Sequence, residues 1–439
     1  MQTFGMQVIH YNTNSIALFK SLFMRRPSKN TNHKLSADSQ RLATLAQAII
    51  QAGSRLEERN WERQLDTLLR KLLKGNHQDV VDAALDHLFK LESAAYDALM
   101  ECAEAASESC QIEHDGSTYD ALLIAMPILA WTRFAIASGP IPADMVSTLS
   151  AHLQAHLLAA DTKMAMAPNL FSIDQLPRSH AETFALTQRM AQAAVKDSAL
   201  KQLAPQPETA PFLADTRYLL AVVTAASEAP MFRWQVSANL AERDEALFQW
   251  NAQAMPNITR LLPGCGIELL LPEAYFIACR EGDKQIRPAS IRAAVHYLTY
   301  TLNVEPNQLQ AIIGSFGEDS AEARVDEYRV SFALAENHEV VYGIVWPLYG
   351  PEDEEELQYR DIDVPADPSI SANVERKSPI EEILALLEEC GVTDVKRHVE
   401  LFAMESCDDC GAPLFPDMDA ELTHAEMPED ASPGPTHLH

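Results

Sequence analysis

Two cysteines, a glycine and a downstream histidine near the end of the chain have the spacing of a metal site. Cys407 and Cys410 are separated by two residues and are followed directly by Gly411. His424 and Glu426 lie farther along the chain. Two thiolates at this spacing can converge on one tetrahedral ion when the glycine takes a left-handed turn. We therefore expect a structural zinc ion held by Cys407, Cys410 and His424, with Glu426 as the fourth ligand.

The residues between the two halves of this site predict a hairpin. Residues 414–415 are expected to pair with residues 421–422 around a turn at 417–419. An antiparallel register of this kind returns His424 to a position beside Cys410. The glutamate two residues beyond the histidine then faces the same side of the strand.

Other interpretations of the two cysteines stay open. A redox Cys-x-x-Cys normally opens a helix, whose N-terminus lowers the pKa of the first thiol. Here two aspartates lie between the thiols and Pro413 and Pro416 follow them, so no helix is expected. A redox pair and a segment without metal are the alternatives, and His437 or His439 would equally complete a zinc site. With only three protein ligands the ion would keep an open position for catalysis.

Arg133 is a candidate for binding a small anion. It follows a predicted strand at 121–131 and precedes a turn-forming stretch at 139–142. In proteins built of α/β layers, ligand sites favour the carboxyl ends of strands. Residues 346–350 close another predicted strand in the same way. The alternative interpretation is plain packing of Trp131 and a surface ion pair of Arg133.

The motifs of standard catalytic classes are missing. Gly264 and Gly266 precede a predicted strand rather than opening a helix, and Leu269 stands where a third glycine is needed for a dinucleotide site. The sequence has no phosphate-binding loop, no serine-hydrolase elbow and no His-Glu-x-x-His helix. His152 and His156 are four apart on a predicted helix, but a packed or solvated pair explains them better than a metal clamp.

The elements that must position these residues begin with a helical segment. Apolar residues recur at helical spacing from 36 to 109, which predicts about four helices. Ser36 is expected to cap the first helix, and Gly53 and Gly75 to end the first two. Asp115-Gly116 then predicts a hairpin, because this pair readily takes the positive φ angles of a tight turn.

Beyond the hairpin, strand-like and helix-like patterns alternate, which indicates an α+β or mixed α/β fold with mixed sheets. The predicted strands are 121–131, 163–171, 217–224, 267–271, 309–316, 328–334, 340–346 and 394–398. The predicted helices are 143–160, 179–196, 239–262, 289–302 and 379–390.

An internal similarity suggests two α/β modules. Pro127 and Phe171 recur as Pro272 and Phe316 at one constant offset, with a helical apolar stripe between them in each case. An ancient duplication explains the match, and so does chance, since two amphipathic helices aligned on their apolar stripes always look alike.

These patterns divide the chain into consecutive segments. We expect a disordered start at 1–34, a helical segment at 35–109 and a first α/β module at 110–204. The core of a second module is expected at 205–350, followed by an acidic loop at 351–378 and by a helix and strand at 379–402 that complete the second module. A zinc-knuckle-like segment at 403–427 and a disordered tail at 428–439 end the chain. For residues 1–34, a short amphipathic helix on the body is the alternative.

Composition limits the partners and the compartment. The 439 residues include 34 basic and 63 acidic ones, a net charge of −29 that would repel nucleic acid and anionic lipid. The longest apolar stretch, 121–131, is too short to span a membrane. Seven cysteines without a tight framework indicate a reducing cytoplasm rather than a secreted protein.

Several strings together resemble a bacterial protein family of unknown function. They are Met24-Arg25-Arg26, Ala130-Trp131-Thr132-Arg133, Asp174-Gln175-Leu176-Pro177, Trp346-Pro347-Leu348-Tyr349-Gly350, the Cys407 to Leu414 string and His424-Ala425-Glu426. The resemblance spans nearly all of residues 24–430 and implies no activity. It implies that Met24 is the natural start and that the cysteine segment is an integral part of the protein.

The sequence therefore predicts no particular reaction. The leading hypothesis is a cytoplasmic, zinc-containing binding or scaffold protein that engages a protein partner or a second copy of itself. The competing hypothesis is an enzyme acting on a small anion at a strand-end pocket near Arg133.

Overall fold

The computed structural model describes a mixed α+β protein, as predicted, in which a helical segment precedes two larger sheets. The described residues are 35–200, 213–317, 325–336, 338–349, 378–408 and 411–428. The helices are α1 (Ala37–Ile50), α2 (Arg55–Lys74), α3 (Gln78–Leu91), α4 (Ser93–Glu108), α5 (Ala143–His156), α6 (His180–Val195), α7 (Arg233–Ser237), α8 (Leu240–Leu261), α9 (Tyr275–Leu302) and α10 (Pro379–Glu389). Among these ranges, none of the helices combines the length and the apolar character that crossing a membrane requires.

Three sheets are built from short and long strands. The strands are β1 (Ser109–His114), β2 (Ser117–Trp131), β3 (Gly139–Pro140), β4 (Lys163–Met166), β5 (Asn169–Ser172), β6 (Ala214–Ala226), β7 (Gly266–Leu269), β8 (Glu273–Ala274), β9 (Leu309–Gly317), β10 (Glu327–Leu334), β11 (Val340–Pro347), β12 (Asp394–Ala403), β13 (Phe415–Pro416) and β14 (Leu422–Thr423). The stretch predicted as one strand at 163–171 is two strands, because Pro168 between them has no N–H to donate to a ladder.

The four N-terminal helices form where their sequence predicts, except that α1 ends at Ile50 with Gln51 as its cap, ahead of the predicted Gly53. The side chain of Ser36 accepts a hydrogen bond from the Ser39 N–H and so caps α1, and Gly75 is the C-terminal cap of α2. The apolar stripe of α2, from Leu65 to Leu73, is buried against the other helices and one face of the first sheet. Burial of this stripe holds the segment on the sheet.

The first sheet is built around β2, which pairs with β1, β6, β7 and β8. The predicted β1–β2 hairpin is confirmed, and its turn residues Asp115 and Gly116 both have positive φ. Alternate residues of β2 face two different cores: Leu123 packs toward α1–α4 and α6, and Ile124 packs toward α5 and α8. Both faces are covered by helices, which is why β2 reads as an unbroken apolar run.

The second sheet has the strand order β11-β10-β9-β12, with β12 parallel to β9. Helices α9 and α10 cover one face, where Ile313, Val330 and Leu387 are buried. The described part of the C-terminal segment, residues 403–408 and 411–427, covers the opposite face. There the ring of Phe415 lies directly over Gly343, where an added Cβ would overlap it.

Helix α9 joins the two sheets and begins earlier than predicted. Its first turns pack in the core of the first sheet, and its last turns pack in the core of the second. The predicted helix began only at residue 289, directly after Pro288, and a proline removes an N–H from the helical hydrogen-bond pattern. Here the Nε of Arg287 donates to the carbonyl of Lys284, at 3.1 Å, which is the group that Pro288 leaves without its helical partner. The helix therefore continues through the proline.

The predicted segment boundaries and the duplication stay predictions. Strands β6 and β7 pair with β2 across the expected boundary at residue 204. The expectations for residues 1–34, for most of the acidic loop at 351–378, and for the tail from residue 429 fall outside the described residues.

Candidate functional site

A cleft of about 590 Å³ opens where β2 ends against the C-terminal half of α9. Its described lining residues come from the end of β2, the loop after it, the segments around residues 213 and 264, and one face of α9. They are Trp131, Thr132, Arg133, Phe134, Leu213, Gly264, Ala293, His296, Tyr297 and Tyr300. We call this the aromatic cleft.

Two glycines and a threonine hold the β2 side of the aromatic cleft in place. Trp131 pairs with Gly266 of β7, and its indole occupies the space that a side chain at residue 266 would fill. The Thr132 N–H donates to the carbonyl of Leu213 at 2.8 Å, and its hydroxyl donates to the carbonyl of Gly264 at 3.1 Å. These bonds fix the loop that carries Arg133.

The α9 side of the cleft is a helical face. Ala293, His296, Tyr297 and Tyr300 are three or four residues apart, so they lie on the same side of the helix. The guanidinium carbon of Arg133 is 4.8 Å from the ring centroid of Tyr300. It is 5.5 Å from the ring centroid of Phe134. Cation–π contact at these distances orients the guanidinium and leaves its N–H groups available as hydrogen-bond donors.

The charge of the aromatic cleft differs from that of the whole protein. Its described lining includes one guanidinium, one imidazole and no carboxylate, in a chain with a net charge of −29. Arg133 makes no ion pair with any described residue. Its five N–H donors are therefore directed to solvent or to a ligand.

The sequence analysis identified Arg133 as a candidate because it follows a predicted strand. It did not identify the residues of α9 that lie opposite Arg133 in the cleft. His296, Tyr297 and Tyr300 lie on a helix that the sequence did predict, at 289–302. Their spacing along that helix was the available signal. The sequence carries no sign that this face would meet the end of β2, because the two segments are far apart along the chain.

Two weaker candidates lie away from this cleft. The rings of His152 and His156 stack on α5, with centroids 6.3 Å apart. They flank Leu153, which is fully buried in the core between α5 and the first sheet. Trp346, in the string that closes β11, is itself fully buried in the core of the second sheet.

The cysteine segment forms a tight turn at Cys407. The Cys407 N–H donates to the carbonyl of Ala412, and the Gly411 N–H donates to the carbonyl of Cys407, both at 2.7 Å. Gly411 has a φ of 69°, the left-handed conformation expected for it. Cys410 lies outside the described residues.

The hairpin after this turn forms in a different register from the predicted one. Phe415 pairs with Thr423 and Pro416 pairs with Leu422. The turn is longer than predicted because the Asp417 carboxylate accepts hydrogen bonds from the N–H groups of Asp419 and Glu421, each at 2.9 Å. Phe415 is therefore opposite Thr423 rather than Glu421, two residues later on the second strand.

The other predicted zinc ligands lie just beyond this hairpin. The Nδ1 of His424 is 3.2 Å from an Oε1 of Glu426, whose side chain is 79% exposed. The Glu426 N–H donates to the carbonyl of Val340 at 3.0 Å and so joins the segment to β11. Among the described residues, no three His, Cys, Asp or Glu side chains are grouped to hold a metal. Since Cys410, His437 and His439 lie outside those residues, the zinc site stays a prediction.

The C-terminal segment is a layer of the protein rather than an appendage. Arg329 of β10 forms a buried ion pair with Glu327 at 2.9 Å. Its Nη1 donates to the carbonyl of Glu405 at 2.8 Å and to that of Leu414. The Ser331 hydroxyl donates to the carbonyl of Pro416. Polar groups of the second sheet are thus satisfied by the backbone of this segment.

No curated protein and no solved structure matches the chain. Residues 27–438 match a family described as a protein of unknown function, DUF2863, and the chain therefore belongs to that family.

Proposed function

We propose that this protein binds a small organic anion in the aromatic cleft. The observation that carries the proposal is Arg133, whose guanidinium lies against Tyr300 in a cavity with no carboxylate among its described lining residues. A charge-assisted hydrogen bond contributes about 1.5–3 kcal/mol when its partner is present. An anion is therefore the ligand that this side chain selects.

The shape of the cleft supports an organic rather than an inorganic anion. A volume of about 590 Å³ falls within the range of roughly 300–1,000 Å³ found for small-molecule sites. The flat side chains of Trp131, Tyr297 and Tyr300 offer apolar surface next to the cation. A ligand with a negatively charged group attached to a flat apolar part would use both features.

Phenyl phosphate is a suitable probe of this proposal. We expect saturable binding by isothermal titration calorimetry to the wild-type protein, and at least tenfold weaker binding to Arg133→Gln. Arg59→Gln, at an exposed position of α2, is the matched control and should bind as the wild type does. Equal affinity of R133Q and the wild type for phenyl phosphate would contradict the proposal.

A zinc ion in the C-terminal segment is a second proposal. Cys407, Cys410, His424 and Glu426 would hold it, and the left-handed turn at Gly411 supports the knuckle that the cysteines require. With four protein ligands the ion would stabilise the segment rather than catalyse a reaction. Elemental analysis should find about one zinc per chain in the wild type and much less in Cys407→Ser.

A cytoplasmic location and a protein partner or second copy complete the proposal. The six described cysteines are free thiols, which supports a reducing compartment. Cell fractionation tests the location, and light scattering of the purified protein tests self-association.

A further inference from the structure

A second, smaller cleft lies next to the aromatic cleft. It has a volume of about 340 Å³, and its described lining residues are Leu129, Trp131, Glu268, Gln285, Pro288, Ala289, Arg292, Glu382 and Leu386. We call it the acidic cleft. Trp131 lines both clefts, and α9 forms one wall of each. The two clefts therefore follow one another along the same helix.

The acidic cleft has the opposite charge to its neighbour. Arg292 is already bound by both oxygens of Glu389, with two N–O distances of 3.0 Å, so its charge is neutralised. Glu268 and Glu382 form no ion pair with a described residue, although the charge of Glu382, after Glu389, raises the pKa of Arg292. With Arg292 neutralised by Glu389, these two carboxylates make this end attractive to a cation, as Arg133 makes the other end attractive to an anion.

The helix gives the approximate spacing of the two clefts. The α9 residues of the acidic cleft run from 285 to 292, and those of the aromatic cleft run from 293 to 300. Their centres are eight residues apart, which is about 12 Å at 1.5 Å per residue. An extended peptide rises about 3.3–3.6 Å per residue, so three or four residues cover this distance.

We propose that the two clefts together bind a short peptide with free ends. Its carboxylate lies at Arg133, its ammonium group lies at Glu268 and Glu382, and its middle crosses Trp131. This inference rests on the proposed function, because it uses the same anion site, and it adds the class of ligand. The apolar side chains of Leu129, Pro288 and Leu386 then face the peptide near its amino end.

Three forms of tetra-alanine test the proposal by calorimetry. The peptide with both ends free should bind to the wild-type protein. Acetylation of its amino end should weaken binding at least fivefold, and amidation of its carboxyl end should weaken it at least tenfold. In the double variant E268Q/E382Q, the free and acetylated peptides should bind within twofold of each other. Glu113→Gln, an exposed glutamate of β1 that lines neither cleft, is the control and should keep the wild-type preference.

The outcomes separate this inference from the proposed function. If phenyl phosphate binds through Arg133 but acetylated and free peptides bind equally, the peptide inference is wrong and the anion site stands. If phenyl phosphate and all three peptides fail to bind, both proposals are wrong. Thermal unfolding of each variant at the wild-type temperature shows that a lost preference is not caused by lost folding.

Discussion

Replacing Asp283 with asparagine should make the stability of this protein less dependent on pH. Asp283 is fully buried on α9 between hydroxyls from two different parts of the fold. The Tyr349 hydroxyl, just after β11, is 2.9 Å from one carboxylate oxygen, and the Tyr218 hydroxyl, on β6, is 3.4 Å from the other. Burial raises the pKa of Asp283 from an ordinary 3.8 to about 8, although hydrogen bonds from both tyrosines and the charge of Arg287 oppose it.

The sign of the effect follows from which state holds the proton. Between about pH 4 and pH 8 the folded protein keeps this proton, whereas the unfolded chain releases it. The contribution of Asp283 to the free energy of unfolding therefore falls as the pH rises through this interval and becomes constant above it. At about 1.4 kcal/mol per pH unit for one proton, about four pH units correspond to at most about 6 kcal/mol.

Asparagine has the same shape, keeps an oxygen that accepts hydrogen bonds from the tyrosines, and is neutral at every pH. We expect the variant to gain stability over the wild type by about 1 kcal/mol per pH unit from pH 5 to pH 8. Urea unfolding of both proteins at pH 5, 6, 7 and 8 measures the difference between their free energies of unfolding. The contributions of all other titratable groups are the same in both proteins and cancel in this difference. Asp161→Asn, at an exposed position, is the control and should show no such trend.

The result that refutes this reasoning is a constant difference. If the free energies of unfolding of Asp283→Asn and the wild type run parallel from pH 5 to pH 8, then the Asp283 carboxyl does not keep its proton on folding.

Three further predictions concern α9 and the C-terminal segment. Phe415→Ala removes a ring that is 4% exposed over Gly343 and should cost about 3–5 kcal/mol, with new proteolytic cleavage confined to residues 403–427. Arg287→Gln leaves two backbone carbonyls without a guanidinium donor and should lower the free energy of unfolding in urea by about 1–3 kcal/mol. If zinc is bound, a chelator or Cys407→Ser should raise amide hydrogen exchange in residues 403–427 and in the second sheet beneath them. Exchange in the first sheet should stay constant. Equal exchange with and without chelator would argue against a structural metal.

Much of the local structure could be predicted because it depends on neighbouring residues. Asp115-Gly116 specifies its hairpin through its own φ angles, and Ser36 caps α1 through a bond to a residue three positions away. The left-handed turn at Gly411 is of the same kind. The predicted start of α9 was too late, and the Arg287 side chain that compensates for Pro288 inside the helix is not visible in an apolar pattern.

The sequence by itself predicted most of the longer helices and strands of this protein, and the one residue, Arg133, at which we expect an anion site. Only the tertiary structure decided what surrounds that residue. Tyr300 reaches Arg133 because α9 crosses from the first sheet to the second, and Gly266 leaves room for Trp131 because β7 pairs with the end of β2. Side-chain periodicity reports which face of an element is buried, but it does not report which distant element buries it. A cleft made by segments more than a hundred residues apart is therefore set by packing, and its ligand must be inferred from the charges that packing brings together.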